Sequence, residues 1–332
     1  MIKFDEFTKS NLKYFFDKRD KNITFNFICE EKNRIMKNFN KNIIFKIDEE
    51  EIPLQKIKKL LDTKWVYSES INRLFNLDSN YKITWNYHVN HTIYFKGKKE
   101  KFLNFKKRLP ILLNIINYIY DKGNNNQNTK SITIYLILTD LKKNLTKTDI
   151  IGPKNINSGY TDPQTNEILI WREEEFEKVI FHELIHFMDL DTRDVTTNNK
   201  KSNIEISSMK SFFEAFTDFW GILYHIIYVS IILKKSPNSL LQIEYQFIKN
   251  QGNLINKFFN LEDWSRNKKL NQTSPAFSYF ILKYLIFKKV IYSNDIALLN
   301  KPNELLTQIL SEHFKEESFI NLPPRMSLLQ LE

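Results

Sequence analysis

Residues 179–189 read Val-Ile-Phe-His-Glu-Leu-Ile-His-Phe-Met-Asp, and this segment restricts the chain more than any other. On a helix, positions i and i+4 lie about 40° apart in rotation and one turn apart in height. His182 and His186 therefore share a face, and both imidazoles can reach one zinc ion. Glu183 sits about 100° round from His182, where it can address a water on that ion without being a ligand. The opposite side carries Phe176, Ile180, Leu184 and Phe187, an apolar stripe for a core. Such a helix has packing on one face and polar chemistry on the other. With 6 histidines in 332 residues, a chance H-E-x-x-H arises about 1% of the time. The bland alternative is a pair of surface histidines on an amphipathic helix, and the surrounding sequence argues against it.

That helix, expected over 173–189, directly follows a short strand at Ile168–Trp171. Glu173, Glu174 and Glu175 fall in its first turn, where acidic groups complement the helix dipole. Upstream, Tyr81, Ile83, Trp85, Tyr87 and Val89 alternate with polar residues, as in a strand or hairpin with one buried face. Phe105, Leu109, Leu112, Ile116 and Ile119 have helical spacing over 102–120, with a kink or restart expected at Pro110. Residues 132–138 are apolar throughout and predict a central strand. Residues 152–166 contain Gly152-Pro153 and Asp162-Pro163 and predict irregular chain. Beyond a polar loop at 191–201 the pattern is helical, over about 203–233, 239–259, 274–291 and 303–315, with Ser202 to Glu205 as a capping box. In residues 1–75 a strand is expected at 43–47 and a helix at 51–61.

The expected fold class is α+β. A chain of 332 residues suggests two domains or three packed subdomains. We place an N-terminal α/β extension at 1–78, a subdomain with the sheet and the H-E-x-x-H helix at 79–200, and a helical subdomain at 201–332. Apolar residues at 42% and aromatics at 14%, with only 6 glycines and 9 prolines, exclude global disorder and collagen-like repeats. The longest apolar run, Phe219 to Leu233, spans about 23 Å as a helix against about 30 Å of bilayer hydrocarbon, so a buried helix is expected and no membrane span. The single cysteine, Cys29, leaves no intrachain disulfide and no cysteine-based zinc site. The first residues show no apolar signal region. These features predict an intracellular or cytoplasmic protein that is not secreted.

A third ligand is available downstream. Residues 214–218 read Glu-Ala-Phe-Thr-Asp, and Glu214 and Asp218 share a helix face. Glu214 can complete a His₂Glu site, and Asp218 can accept a hydrogen bond from a ligating histidine. An extended H-E-x-x-H-x-x-G-x-x-H motif would need glycine at position 189 and histidine at 192, where the chain has Asp189 and Thr192. On these residues the chain resembles the gluzincin metallopeptidases, the thermolysin-like zincins. The resemblance implies one Zn²⁺ held by His182, His186 and Glu214, with Glu183 as general base and Asp218 behind a ligand. It also implies a zincin-like catalytic unit over about 80–230, with a polypeptide as substrate.

A looser resemblance, to metalloprotease-like proteins of large DNA viruses, covers residues 157–161, 168–172, Glu175, 178–186, 277–283 and 325–327. It implies a host-cytoplasm or virion location and substrates of viral or host origin. The Asn-, Ile-, Lys- and Phe-rich usage of an AT-rich genome fits that source. Candidate oxyanion donors are Tyr160, Tyr224, Tyr228, His225, Tyr279 and Arg325, with Tyr279 and Arg325 favoured by the viral resemblance. His225 lies about 16 Å along the helix from Glu214 and is too far to ligate the same ion. Substrate is expected to add as an extended strand along Ile168, Leu169, Ile170 and Trp171.

Two other function classes compete. One is a catalytically inactive zincin-fold structural or interaction protein, against which an intact Glu183 argues. The other is a nucleic-acid binder, suggested by the net charge of +10. The lysines are spread evenly, and no basic stripe with interleaved aromatics is present, so no specific nucleic acid is expected as partner.

Overall fold

The computed structural model describes residues 3–123, 130–145, 150–191, 210–261, 270, 272–311 and 318–332. In chain order its elements begin with helices α1 (Glu6–Asp17) and α2 (Asn26–Lys37), strand β1 (Phe45–Asp48), and helices α3 (Leu54–Leu61) and α4 (Glu69–Asn72). Next come strands β2 (Ser79–Tyr87) and β3 (Val89–Gly97), helix α5 (Lys99–Lys122), strand β4 (Thr133–Thr139), helix α6 (Pro153–Ile156), strands β5 (Gly159–Asp162) and β6 (Glu167–Arg172), and helix α7 (Phe176–Phe187). The rest is helical: α8 (Lys210–Leu233), α9 (Pro237–Phe259), a π-helical turn (Phe277–Leu282) that runs into α10 (Lys283–Ser293), and α11 (Pro302–Ser311). The class is α+β.

The strands form one mixed sheet in the order β1-β2-β3-β4-β6-β5. The alternation from Tyr81 becomes a hairpin in which Tyr81 pairs with Phe95 and Ile83 with Ile93. It turns through His88, whose φ of 59° is positive. β3 runs parallel to β4, and β4 parallel to β6. β5 returns antiparallel to β6 and forms one border of the sheet.

Each face of the sheet is buried for a different reason. Ile134, Leu136, Ile168 and Ile170 point into the main core with Leu109, Leu112 and Ile116 of α5 and Ile180 and Leu184 of α7. On the other face Tyr135, Ile137, Leu169 and Trp171 pack with Ile57, Leu60 and Leu61 of α3. Strands apolar on both faces are the pattern of covered, parallel-containing sheets. The main core also takes in Ile28 and Ile35 of α2, and β1 is hydrogen-bonded to β2. Residues 1–78 thus share both sheet and core with the later strands and helices.

Three expectations are corrected. α5 continues through Pro110, because Leu109, Leu112 and Leu113 on either side are fully buried and their packing offsets a cost of about 3 kcal/mol. Residues 152–166 hold α6 and β5, whose polar sequence gave no strand signal because β5 is short and half-buried. Glu173, Glu174 and Glu175 precede α7 instead of forming its first turn. Glu175 caps the helix in the left-handed region (φ 63°), held by Lys143 Nζ at 2.6 Å. Glu174 Oε1 accepts the Lys143 N–H at 2.5 Å, and Glu173 pairs with Lys101 at 2.9 Å. Burial with cationic partners outweighed helix propensity. The capping box at 202–205 and much of the loop at 191–201 lie outside the described residues.

Within α8, Phe212–Leu233 is long and apolar enough to cross a membrane, but 78% of its most apolar window is buried inside the protein. It fills the centre of the helical half against α7, α9 and α10.

The final segment is tied down by side chains from α9 and α1. Glu244 accepts the N–H groups of Leu328 (3.1 Å) and Leu329 (3.3 Å), and Thr8 Oγ1 donates to Leu328 O at 2.7 Å. Glu244→Ala would leave two buried donors unpaired, each costing about 1–3 kcal/mol; urea denaturation should show the loss. Burial pushes the Glu244 carboxyl up to about 7. A raised acid binds its proton more tightly in the folded state, so its stabilising contribution is complete below the ordinary value of 4.5 and is lost as pH rises through 7. Wild type should therefore lose stability relative to Glu244→Gln across that window, and parallel pH profiles would refute the assignment.

Candidate metal centre

The site forms where α8 crosses α7. A Cβ at Gly221 would stand 3.2 Å from both Cα and N of His182, so glycine is what lets the helices approach this closely. Glu214, Asp218, Gly221 and His225 follow one stripe of α8, at i, i+4, i+7 and i+11. The first two therefore face the histidines of α7.

His182, His186 and Glu214 converge. The two Nε2 atoms are 3.2 Å apart, and Glu214 Oε2 lies 3.4 Å from that of His182 and 3.3 Å from that of His186. A tetrahedral zinc ion with bonds of about 2.0–2.2 Å sets its ligand atoms about 3.3–3.5 Å apart, so these three residues fit that ion as they stand. Glu214 Oε2 is buried and takes no hydrogen bond. The His182 side chain is 5% exposed while His186 and Glu214 are each 24% exposed, which puts the open side of the cluster at the latter two.

Both imidazoles are held from behind. Asp218 Oδ1 accepts from His182 Nδ1 at 3.1 Å. Asp191 Oδ2 accepts from His186 Nδ1, and from Thr217 Oγ1 at 2.9 Å. These bonds turn each Nε2 towards the common point. Glu183 is held by Thr161 of β5, whose Oγ1 is 2.9 Å from both Glu183 Oε2 and the Glu183 carbonyl oxygen. Gly159 makes room for this contact, because a Cβ there would come 2.9 Å from Glu183 Oε1 and 2.7 Å from Val179 Cγ1.

Burial dominates the electrostatics. It pushes Glu183 up to about 7 against the opposing effects of His186 and Thr161, and it pushes His182 down to about 3. His186 is raised well above its ordinary value, since the neighbouring Glu214 and Asp191 outweigh its own desolvation. Glu214 is lowered because the adjoining His186 and His182 overcome its burial. Tyr279, from the π-helical turn, stands edge-on to His182 with ring centroids 5.8 Å apart. Burial and the carboxylates of Glu214 and Glu183 push its phenol well up, so it keeps its proton.

The structure thus brings together His182, Glu183, His186, Glu214, Asp218 and Tyr279. It does not bring Arg325. That guanidinium is buried beside Glu175 (3.7 Å), Asp5 (3.5 Å) and Gln330 Oε1 (2.5 Å), where it balances a buried carboxylate. Ile168, Leu169, Ile170 and Trp171 are also misplaced as a substrate edge. Their strand, β6, is hydrogen-bonded on both sides, and all four residues are at most 1% exposed. The sheet border beside Glu183 is β5. Of the other oxyanion candidates, Tyr224 donates to Glu31, Tyr228 to Glu177 and Tyr160 to the Leu60 carbonyl, while His225 meets Ser327.

Asp191, Thr161, Gly159 and Gly221 were missed. Asp191 lies only five positions after His186, but its role depends on a chain reversal at the end of α7 that no periodicity reveals.

No family model and no solved structure matches the chain. An uncharacterised protein of Acanthamoeba polyphaga mimivirus is 30% identical over 203 residues, which is 56% of this chain and 52% of that protein. The chain spans about half the length of this curated relative, which comes from a giant virus.

With zinc as the probe of this candidate centre, Asp191→Asn should bind about 10–100-fold more weakly, the effect expected of a carboxylate behind an imidazole that ligates a metal. Competition with a chromophoric chelator measures this, and wild-type affinity in the variant would remove Asp191 from the centre.

Proposed function

We propose that the chain is a zinc-dependent metallopeptidase with one Zn²⁺ held by His182, His186 and Glu214. The observation that carries this reading is the set of three ligand-atom separations, close to the edges of a zinc tetrahedron, with a buried carboxyl beside them. A zinc ion there would keep one open position, lower the pKa of a water towards about 7 and polarise a scissile carbonyl.

The remaining steps belong to side chains. Thr161 occupies Glu183 Oε2, so Oε1 takes the proton of the attacking water and later delivers it to the leaving amine. Asp218 and Asp191 keep the two Nε2 lone pairs aimed at one point. The protonated Tyr279 hydroxyl donates to the oxyanion. Substrate lies in extended form along the border of β5 (Gly159–Asp162) that carries no strand among the described residues, next to Glu183, as peptides add to exposed strands. The viral relative fits a viral source for the chain, and a polypeptide substrate of viral or host origin is part of the same proposal.

A scaffold without catalysis would have no need of a base held in place by Thr161, and this favours the enzyme. Glu183→Gln should retain zinc and lose about 10²–10⁴-fold in hydrolysis of a peptide library, the usual contribution of a general base. Glu214→Ala should lose the metal. A chelator should abolish cleavage and zinc restore it. Undiminished hydrolysis by Glu183→Gln, or full zinc content in Glu214→Ala, would overturn this function.

A further inference from the structure

Beneath the metal centre, Asp218 is shared by two lysines from different helices. Lys178, one turn before His182 on α7, donates to Asp218 Oδ1, the oxygen that also accepts from His182 Nδ1. Lys283, the first residue of α10, sets its Nζ 2.7 Å from Asp218 Oδ2, an ion pair without hydrogen-bond geometry, since that buried oxygen takes no hydrogen bond. Both lysine side chains and Asp218 are at most 1% exposed. Burying two ammonium groups against one carboxylate is costly and does not by itself favour the fold. Each lysine is also tied to the same downstream residue, Lys178 to Met326 Sδ at 3.4 Å and Lys283 to the Met326 carbonyl at 3.1 Å. Among the described residues neither lysine hydrogen-bonds to His182, His186 or Glu214; Lys178 also acts on His182 through space, whereas the ion pair of Lys283 is with Asp218, which makes Lys283 the better probe of the carboxylate.

We propose that Lys178 and Lys283 are positioning residues of the metal centre, clamping the Asp218 carboxylate from both sides so that it holds His182 with Nε2 facing His186 and Glu214. This rests on the zinc reading above. A carboxylate with one partner can rotate about its final bond, and then the imidazole it supports can swing as well. With a lysine nitrogen at each oxygen the carboxylate has one orientation. The π-helical turn adds to this, because it carries Tyr279 against His182 and continues into Lys283 against Asp218. One element thereby supports the same histidine from the front and from behind.

A double-mutant cycle on zinc affinity tests the clamp, with wild type, Lys283→Met, Asp218→Asn and the double variant compared by chelator competition. Lys283→Met should bind zinc about 10-fold more weakly, at the low end of the 10–100-fold range for such partners. In the Asp218→Asn background the same change should cost less than about two-fold, since the lysine acts through the missing carboxylate. Wild-type affinity in Lys283→Met, or an equal loss in both backgrounds, overturns the proposal. Far-UV circular dichroism and thermal melts establish folding, and Lys178→Met in the same cycle serves where Lys283→Met does not fold. Should neither fold, Lys178→Arg and Lys283→Arg, which keep a donor, carry the test: wild-type zinc affinity in both, with no change from Asp218→Asn, overturns the clamp, and a loss in either that vanishes in the Asp218→Asn background supports it. Zinc binding by wild type that His186→Ala abolishes keeps the metal reading standing if the clamp fails. A wild type that takes up no zinc overturns both.

Discussion

Removing Asp218 from water is the constraint around which the candidate metal centre is arranged. A buried carboxylate is tolerable only with compensating partners: Oδ1 accepts from His182 and Lys178 of α7, and Oδ2 is ion-paired with Lys283 of α10. Those partners come from separate elements, so meeting them brings α7, α8 and α10 to one place. Gly221 then sets how close α7 and α8 can come, because its missing side chain makes room for the His182 backbone. Glu214 reaches the histidines through the same contact, one turn along the Asp218 stripe.

A second layer of buried charge fixes the start of α7. Glu175 sits in a left-handed conformation that costs a non-glycine residue energy. It is held there by Lys143, by the Ser327 N–H at 2.7 Å and by the nearby Arg325. Lys143 and Arg325 hold Glu175 down to about 2 despite its complete burial. The final segment therefore braces the helix that carries both histidines, and Met326 extends the brace to Lys178 and Lys283. This is why the residues around 325–327, set apart in the sequence by their viral resemblance, sit under the centre and do not line its open side.

The open side of the site is made differently. β5 is short and half-buried, and among the described residues it pairs with β6 alone. Gly159 and Thr161 on this strand touch Glu183, one by yielding space and the other by hydrogen bonding. The border strand and Glu183 are thus parts of one local structure. The apolar neighbour β6, which looked more like a binding strand, is enclosed because its residues are apolar on both faces.

Much of the centre was legible in the residues themselves. The spacing of His182, Glu183 and His186 and that of Glu214 and Asp218 are helical facts, and local periodicity sets which side chains share a face. The hairpin, the central strand and the helical second half were legible for the same reason, although Pro110, the polar β5 and the start of α7 were not. What periodicity could not carry was any pairing between elements. Asp191 beneath His186, two lysines on Asp218, the distance at which α8 passes α7, and the removal of Arg325 to Glu175 all depend on which buried charge finds which partner. By itself the sequence determined the donor groups and the helix faces that bear them, because a helix repeats with a fixed angle. Only the tertiary structure decided how those faces meet, because desolvated charges are satisfied by neighbours far away in the chain.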